Sequence, residues 1–274
     1  MQPAENIKKT KLRELATGVT LWTYNEIPMV EIHHPIGDAL ISLQGAQLLQ
    51  WQPQGKDKSL LWLSDIEPFQ LGKAIRGGIP ICYPWFNNAG TPAHGYARIS
   101  LWELVSHHVT PQSVYLVFGL FDKNGTIEAR LEMQFDQHCH LMFKHYLEDP
   151  AQVALHSYFQ VSNIKNVGVE GLSECCFNFL TERDEIVPPV RHINGHTDCC
   201  YRIPRESEVS ILDGTDKISI MQCNASDTVV WNPWEKATSA MTADAYQHML
   251  CVETARIHDK LPKNENLILK IFTQ

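Results

Sequence analysis

The sequence lacks any long apolar segment. No stretch of its 274 residues approaches the run of about 18 apolar residues that a membrane-spanning helix requires. The first twenty residues contain Lys8, Lys9, Lys11 and Arg13, but no apolar stretch follows these charges, so a secretory signal is not indicated. We therefore expect a cytoplasmic protein that does not interact with a membrane.

Motifs for several common chemistries are also missing. The chain contains no G-x-S-x-G, no Walker loop and no dinucleotide-binding glycine pattern, so serine hydrolase, nucleotide-binding and NAD-dependent functions lack support. It contains no C-x-x-C either, which argues against a zinc ribbon or a thioredoxin-type site. Its eight cysteines include two adjacent pairs, Cys175-Cys176 and Cys199-Cys200, and we expect reduced thiols.

Histidines are frequent but are not spaced as metal ligands. The two adjacent pairs, His33-His34 and His107-His108, would each point their side chains to opposite faces of a strand. His138 and His140 could share a face, but no third ligand is spaced to join them. The sequence therefore predicts no metal and no cofactor.

Basic residues are outnumbered by acidic ones. The chain has 23 Lys and Arg against 31 Asp and Glu, a formal net charge of -8. Nucleic-acid binding is disfavoured by this balance. A locally basic pocket for an anionic metabolite remains compatible with it.

Strand-type alternation dominates the chain. Between residues 127 and 135, apolar side chains alternate with charged or polar ones, which predicts a strand with one buried and one wet face. Asn124-Gly125 is a hairpin signal that pairs this strand with residues 114–118, and residues 141–146 would add a third strand. Further predicted strands cover residues 39–43, 152–160, 208–212, 218–222 and 267–272.

Helical periodicity is scarce. A short solvent-facing helix is predicted across residues 6–15, and a weaker one near residues 240–249. Many strands, few short helices and no βαβ alternation predict an all-β fold, either an antiparallel sandwich or a barrel. Because we find no linker, repeat or low-complexity block, we expect one domain across residues 1–274.

The segment from Arg76 to Arg98 is the best candidate for a ligand pocket. Arg76 precedes Gly77-Gly78, where the backbone can turn sharply or approach a ligand closely, and Arg98 follows His94-Gly95. Two guanidiniums near one pocket would suit a phosphate, because each offers a planar fork of donors. The alternative is that both arginines pair with carboxylates in turns.

Three later residues could carry chemistry. His156 lies in a strand-like run; it could be a hydrogen-bonded core residue, but its unperturbed pKa of about 6.5 suits proton transfer. Glu253 ends a short apolar run, so it is either an edge carboxylate facing water or a buried base with a raised pKa. Asp198 has the sequence context of a turn aspartate.

Trp231 and Trp234 flank another turn, where core packing is the default interpretation and stacking on a sugar is the alternative.

Taken together, these pieces resemble the aldose 1-epimerase (mutarotase) superfamily, and more closely its glucose-6-phosphate 1-epimerase branch. The matching segments occur in the expected order and span most of the chain: Arg76-Gly77-Gly78-Ile79-Pro80, Pro84-Trp85-Phe86, His94-Gly95-Tyr96-Ala97-Arg98 with Trp102, Leu155-His156-Ser157-Tyr158-Phe159, Thr197-Asp198 with Tyr201, Val230-Trp231-Asn232-Pro233, and Cys251-Val252-Glu253. The loop within the pocket segment departs from the pattern, with Asn87 where a glycine is usual and Ala93 where an amide is common.

The resemblance implies a galactose-mutarotase-like β-supersandwich and a site without a metal or redox cofactor. It implies that His156 is the general acid and Glu253 the general base. Asp198 would bind sugar hydroxyls, while the remaining pocket residues, Arg76, His94 and Arg98, would line the substrate pocket with the arginines near a phosphate. The expected partner is a small hexose phosphate or hexose, and the expected state is a monomer.

Other functions remain open on the sequence. The enzyme could act on free sugars, or the fold could serve a glycoside hydrolase or lyase that uses Asp198 and Glu253 as its carboxylate pair. A non-catalytic carbohydrate-binding or sensor protein is a further alternative. It would not need both His156 and Glu253.

Overall fold

A computed structural model of the chain describes residues 7–273. This part of the chain forms twenty-two β-strands. The first twelve are β1 (Lys9–Ala16), β2 (Val19–Tyr24), β3 (Ile27–His34), β4 (Gly37–Ser42), β5 (Gln47–Pro53), β6 (Ile81–Cys82), β7 (Glu103–Thr110), β8 (Ser113–Phe121), β9 (Ile127–Phe135), β10 (Cys139–His145), β11 (Ala151–Leu155) and β12 (Tyr158–Gln160). The other ten are β13 (Val167–Glu170), β14 (Cys175–Asn178), β15 (Arg183–Ile186), β16 (Val190–His192), β17 (Thr197–Arg202), β18 (Glu206–Asp213), β19 (Asp216–Cys223), β20 (Asp227–Asn232), β21 (Met249–Leu261) and β22 (Asn266–Thr273).

Helical structure in residues 7–273 is limited to three short 3-10 turns, Ala97–Ile99, Ile164–Asn166 and Ala245–His248. No helix in this part of the chain has the length and apolar character needed to span a membrane.

The strands build three antiparallel sheets. The first is a five-stranded meander in chain order, β1 to β5. A nine-stranded sheet has the order β16-β13-β18-β19-β22-β10-β9-β8-β7. An eight-stranded sheet has the order β15-β14-β17-β20-β21-β11-β6, with β12 also paired to β21. The predicted all-β fold of antiparallel sheets is therefore confirmed.

One face of each sheet contributes to a shared apolar core. Trp51 of the meander packs on Phe135 of the nine-stranded sheet, with ring centroids 5.1 Å apart. Tyr201 and Val252 of the eight-stranded sheet belong to the same buried cluster. Because side chains alternate along a strand, the neighbours of these residues project from the opposite face of the eight-stranded sheet. That opposite face carries the polar side chains described below.

The predicted hairpin at Asn124-Gly125 is present and joins β8 to β9. Gly125 has a φ of 79°, which a glycine adopts without strain. The side chain of Asp122 accepts hydrogen bonds from the backbone of Asn124 and Thr126 at 2.8 Å each, and so closes the turn. Strand β10 follows β9, which completes the predicted meander.

Two predictions about local structure are wrong. The helix expected across residues 6–15 is instead strand β1 from Lys9 onward; Asn6 lies outside the described residues. A two-residue turn at Gly18 (φ 76°) lets β1 pair with β2, and those backbone hydrogen bonds outweigh the weak helical pattern. The helix expected near residues 240–249 is reduced to the 3-10 turn Ala245–His248, because strand β21 begins at Met249.

The predicted strand over residues 152–160 is interrupted. It forms β11 and β12, with His156 and Ser157 between them. This interruption lies at the centre of the candidate site.

Candidate active site

The interruption between β11 and β12 places His156 against Glu253. Strand β11 pairs with β21 so that Leu155 lies opposite Thr254, and the next register position brings His156 opposite Glu253. The His156 backbone N–H donates to the carbonyl of Pro80 at 3.0 Å, which fixes the chain at the break. The side chains then meet, with Nε2 of His156 3.2 Å from Oε1 of Glu253.

Burial of this pair disfavours the charged form of both His156 and Glu253. The side chain of His156 is 10% exposed and that of Glu253 is 1% exposed. Burial, reinforced by His94, Arg98 and Arg76, lowers the pKa of His156 well below its ordinary value. Burial also raises the pKa of Glu253 well above its ordinary value; a nearby Asp198 adds to this and Arg98 opposes it.

The pair therefore behaves as a unit that holds one labile proton. A carboxylic acid beside a neutral imidazole has the same proton count as a carboxylate beside an imidazolium, and at 3.2 Å the proton can pass between them. The other polar atom of each side chain, Nδ1 of His156 and Oε2 of Glu253, is buried without a hydrogen-bond partner among the described residues. Both are thus unusually free to interact with a ligand.

Asp198 shares a sheet face with the pair. In the eight-stranded sheet it lies opposite Trp231 on β20, and Trp231 in turn lies opposite Cys251 on β21, two residues from Glu253. Burial raises the pKa of Asp198 to about 6, although Lys236 opposes the shift. Asp198 is therefore a second carboxylate whose charge changes close to neutral pH.

Aromatic rings wall the site. The ring of Tyr158 stacks on His156 with centroids 4.9 Å apart and an interplanar angle of 12°. Trp231 meets both rings edge-on, at 6.1 Å from Tyr158 and 6.2 Å from His156. These contacts restrict the His156 imidazole and leave an apolar surface beside it. Of the two interpretations considered for Trp231, the half-buried position beside this face favours a place in the site wall.

Arg76 reaches the site from the turn before β6. Its Nη1 donates to the hydroxyl of Tyr158 at 2.9 Å, and its Nε donates to the carbonyl of Ser239 at 3.2 Å. Glu67 accepts from its backbone N–H at 2.8 Å and does not form a salt bridge with the guanidinium. The interaction with Tyr158 raises the pKa of Arg76, so the guanidinium remains charged.

His94 and Arg98 come from a tightly turned loop. His94 and Gly95 both have a positive φ, 63° and 75°. The His94 ring lies 5.8 Å from the His156 ring, centroid to centroid. Burial, with Arg98 and Arg76, lowers the pKa of His94 to about 3, so it is neutral at physiological pH. Arg98 donates through Nη2 to the carbonyl of Ala93 at 2.8 Å, and so braces the loop that departs from the family pattern.

The six residues selected from the sequence are thus brought to one face of the eight-stranded sheet, although they derive from five separate segments. Arg98 is close enough to affect the pKa values of His94, His156 and Glu253, which places it beside the acid–base pair. None of the groups of three metal-ligating side chains found in residues 7–273 includes any of the six. The arrangement can transfer protons and bind an anion.

Sequence reasoning assigned no role to two contributors: Tyr158, which it noted only within a matched segment, and the loop that follows β20. That loop carries Ser239, which contacts Arg76, and it is anchored by the buried side chain of Asn232. The Asn232 amide donates to the carbonyls of Tyr246 and Met249 at 2.9 Å each. The signal in the sequence that pointed to this loop was the pair of tryptophans around the Asn232 turn.

Comparison with known proteins adds four observations. The sequence profile of the family described as aldose 1-epimerase matches residues 28–270. A Haemophilus influenzae protein named "Putative glucose-6-phosphate 1-epimerase" is 43% identical over 268 residues, which cover 97% of this chain and 98% of that protein. An Escherichia coli protein of the same name is 32% identical over 247 residues, 84% of each chain. The crystal structure of a "putative mutarotase" from Salmonella typhimurium matches with a TM-score of 0.89 at 28% identity, covering 96% of both chains.

Proposed function

The chain belongs to the aldose 1-epimerase family and is an isomerase, and from that premise we propose that it interconverts the α and β anomers of a hexose 6-phosphate, with glucose 6-phosphate as the expected substrate. The family resemblance drawn from the motifs is confirmed by the profile match and by the two relatives. The single observation that carries the proposal is the 3.2 Å contact between Nε2 of His156 and Oε1 of Glu253. A protein that only binds sugars has no need of a buried acid–base pair.

In the proposed mechanism the pair moves two protons on opposite sides of C1. Glu253, as carboxylate, takes the proton of the O1 hydroxyl while protonated His156 gives a proton to the ring oxygen O5. The C1–O5 bond breaks and the sugar opens to an aldehyde. Rotation about C1–C2 presents the other carbonyl face; O5 then attacks C1, returns its proton to His156, and O1 recovers a proton from Glu253.

The proton count of the pair suits this cycle. Ring opening transfers one proton to Glu253 and one from His156, and ring closure reverses both transfers, so the total held by the pair is unchanged after each half-reaction. Burial disfavours separated charges in the resting pair, and a sugar hydroxyl between the two groups would supply the hydrogen bonds that favour the ionised form. General acid–base groups of this kind each typically contribute about 10²–10⁴-fold to the rate.

The charged groups around the pair support a phosphorylated substrate. Arg76 and Arg98 are the guanidiniums of the pocket, and neither forms a salt bridge with a carboxylate in residues 7–273. A phosphate would take up the donor fork that Arg76 now extends to Tyr158 and Ser239. Asp198 would accept from sugar hydroxyls, neutral His94 would line the pocket, and Trp231 would pack against the apolar face of the ring.

The proposed substrate also bears on location and assembly. A hexose 6-phosphate is a charged metabolite that does not cross membranes unaided, so we propose a cytoplasmic enzyme. Every residue of the proposed site comes from one chain, so a monomer would suffice for activity. No metal or redox cofactor takes part in the proposed steps.

A direct test follows the optical rotation or NMR spectrum of freshly dissolved α-glucose 6-phosphate. We expect added protein to accelerate anomer exchange, and to do so more efficiently than with glucose or galactose. Greater efficiency with the free sugars would favour an aldose 1-epimerase of that specificity. Release of reducing sugar from an oligosaccharide would favour the hydrolase, and binding of the sugar phosphate without exchange would favour the sensor.

A further inference from the structure

The adjacent cysteine pairs noted in the sequence lie on neighbouring strands. Cys175-Cys176 belongs to β14 and Cys199-Cys200 to β17, which pair with each other at one side of the eight-stranded sheet. Cys176 and Cys199 face the main core, whereas Cys200 lies on the opposite face. The proposed epimerase mechanism uses none of these thiols.

Cys176, Cys199 and Glu185 form a compact group. The two Sγ atoms and one carboxylate oxygen of Glu185 all lie within 4.8 Å of one another. Cys176 is 2% exposed and Cys199 is fully buried. The Oε1 atom of Glu185 accepts from Asn178 at 2.8 Å and from Thr181 at 3.1 Å, the type of outer contact that orients a metal-ligating carboxylate.

Two buried donors beside this group lack partners. In residues 7–273, the hydroxyl of Tyr201 and Nε of Arg191 are buried side-chain atoms without a hydrogen bond. Tyr201 is fully buried, and its hydroxyl is near enough to Cys176 and Cys199 for them to affect its pKa, although burial is the main influence. The Nη2 atom of Arg191 lies 4.0 Å from Sγ of Cys199. A neutral thiol is a weak acceptor, so both donors remain poorly satisfied while the cysteines are protonated.

We propose that Cys176, Cys199 and Glu185 bind a zinc ion, with a water molecule as the fourth ligand. Two thiolates with a carboxylate are a donor set that zinc accepts, and their ligand atoms lie within 4.8 Å of one another, so small side-chain movements would bring both sulfurs to the usual Zn–S distance of about 2.3 Å. Binding releases one proton from each thiol to solvent and leaves the zinc between two thiolates. Those thiolates are strong acceptors for the orphaned donors of Arg191 and Tyr201.

The local charges balance in the occupied site. Two thiolates and one carboxylate carry three negative charges, zinc supplies two positive charges and Arg191 supplies one. Arg191 lies on β16, at the edge of the nine-stranded sheet, whereas the ligands lie on β14, β15 and β17. The ion would therefore join three strands and, through Arg191, the edges of two sheets.

A second group on the other face of β17 is less suited to a metal. It comprises Cys200, Asp227 and His258. The carboxylate of Asp227 already accepts from the backbone of Ile257 at 2.8 Å, from the backbone of His258 at 3.1 Å and from Nδ1 of His258 at 2.5 Å. Its lone pairs are engaged in holding residues 257 and 258 within β21, so hydrogen bonding accounts for this group.

The test is a titration of the full-length, reduced protein with Co²⁺, followed by competition with Zn²⁺. We expect one equivalent of Co²⁺ to produce the near-ultraviolet thiolate-to-cobalt absorption, and Zn²⁺ to abolish it. Cys176→Ser and Cys199→Ser should each lose the band. Glu185→Gln retains both thiols and should weaken Co²⁺ binding at least about tenfold.

Controls separate this site from other thiols. Cys175→Ser changes the exposed neighbour of Cys176 and should leave the band intact. Cys199→Ser should retain wild-type anomer exchange, because the metal is structural in this proposal. The proposal is overturned if the wild type gives no thiolate–cobalt band, if Cys199→Ser retains the band, or if only Cys200→Ser or His258→Ala removes it.

Discussion

Burial decides the protonation of individual residues at the site. His156 and Glu253 are both pushed toward their neutral forms, His156 by a lowered pKa and Glu253 by a raised one. Because the two groups touch, the quantity that matters for catalysis is the single proton they share. Asp198 differs, since its pKa of about 6 lets it change charge on its own near neutral pH.

Asp198→Asn should change the acidic limb of the pH–rate profile. Below about pH 6, Asp198 is protonated and accepts hydrogen bonds from sugar hydroxyls poorly. We therefore expect the wild-type kcat/KM for glucose 6-phosphate to fall. The substrate phosphate also titrates near pH 6, as phosphate esters do. The wild type should therefore lose up to about a hundredfold per pH unit at low pH, and Asp198→Asn only about tenfold. Identical limbs in the two enzymes would show that Asp198 does not act in this way.

Arg76→Ala should separate phosphorylated from free sugars. The loss of charge-assisted hydrogen bonds, worth about 1.5–3 kcal/mol, should lower kcat/KM for glucose 6-phosphate by about 10–150-fold. Activity with free glucose should change by less than about threefold. Arg183→Ala alters an exposed arginine on β15 and serves as the matched control. Equal losses on both substrates would instead assign Arg76 to holding Tyr158 and His156 in place.

At the scale of strands and turns, the sequence predicted what depends on local pattern. The alternation from Ile127 to Phe135 and the Asn124-Gly125 turn were sufficient for the β8–β9 hairpin. The break at His156 was not predictable, because its flanking residues all favour a strand. It depends on the carbonyl of Pro80, which comes from a distant segment.

The same limit applies to the site. His156 and Glu253 were distinguished from ordinary core residues by their place in an ordered set of motifs, not by local chemistry. Tyr158 and Ser239 reach Arg76 across 82 and 163 residues of sequence. No local pattern reports contacts over such separations, so only the folded chain reveals them.

Gly95→Ala should be far more destabilising than Gly125→Ala. Both glycines have a similar positive φ, 75° and 79°. A Cβ at Gly95 would lie 1.9 Å from the carbonyl oxygen of Tyr83, whereas nothing lies within 4 Å at Gly125. Urea unfolding should show a loss of about 1–2 kcal/mol at Gly125 from the backbone alone, and at least about 3 kcal/mol at Gly95. Equal losses of unfolding free energy would mean that the loop at His94 can shift to accommodate the added Cβ without further destabilisation.

At the scale of the whole molecule, the site lowers the stability of the fold that carries it. The eight-stranded sheet places apolar residues such as Val252 in the core and Glu253, the next residue, on the other face without solvent. A carboxyl whose folded pKa exceeds its unfolded value of about 4.5 makes the protein less stable as pH rises above 4.5. A histidine whose folded pKa lies below 6.5 makes it less stable as pH falls below 6.5.

Glu253→Gln should therefore stabilise the protein at alkaline pH. Between pH 4.5 and 6.5 the two effects oppose each other in the wild type, and above 6.5 only the Glu253 term remains. The free energy of unfolding of Glu253→Gln should exceed that of the wild type by an amount that grows between pH 5 and pH 8, by at most about 1.4 kcal/mol per pH unit. Urea unfolding at both pH values measures it, and a variant less stable than the wild type at pH 8 would contradict the account.

The most direct measurement of the central claim is the α-to-β exchange rate of glucose 6-phosphate, by NMR magnetisation transfer, for the wild type, His156→Ala, Glu253→Gln and the double variant. If the two residues act as one acid–base pair, each single variant should lose about 10²–10⁴-fold in kcat/KM, and the double variant should lose little more than either. Circular dichroism should show all four proteins folded. A folded single variant that retains the wild-type rate would contradict the account.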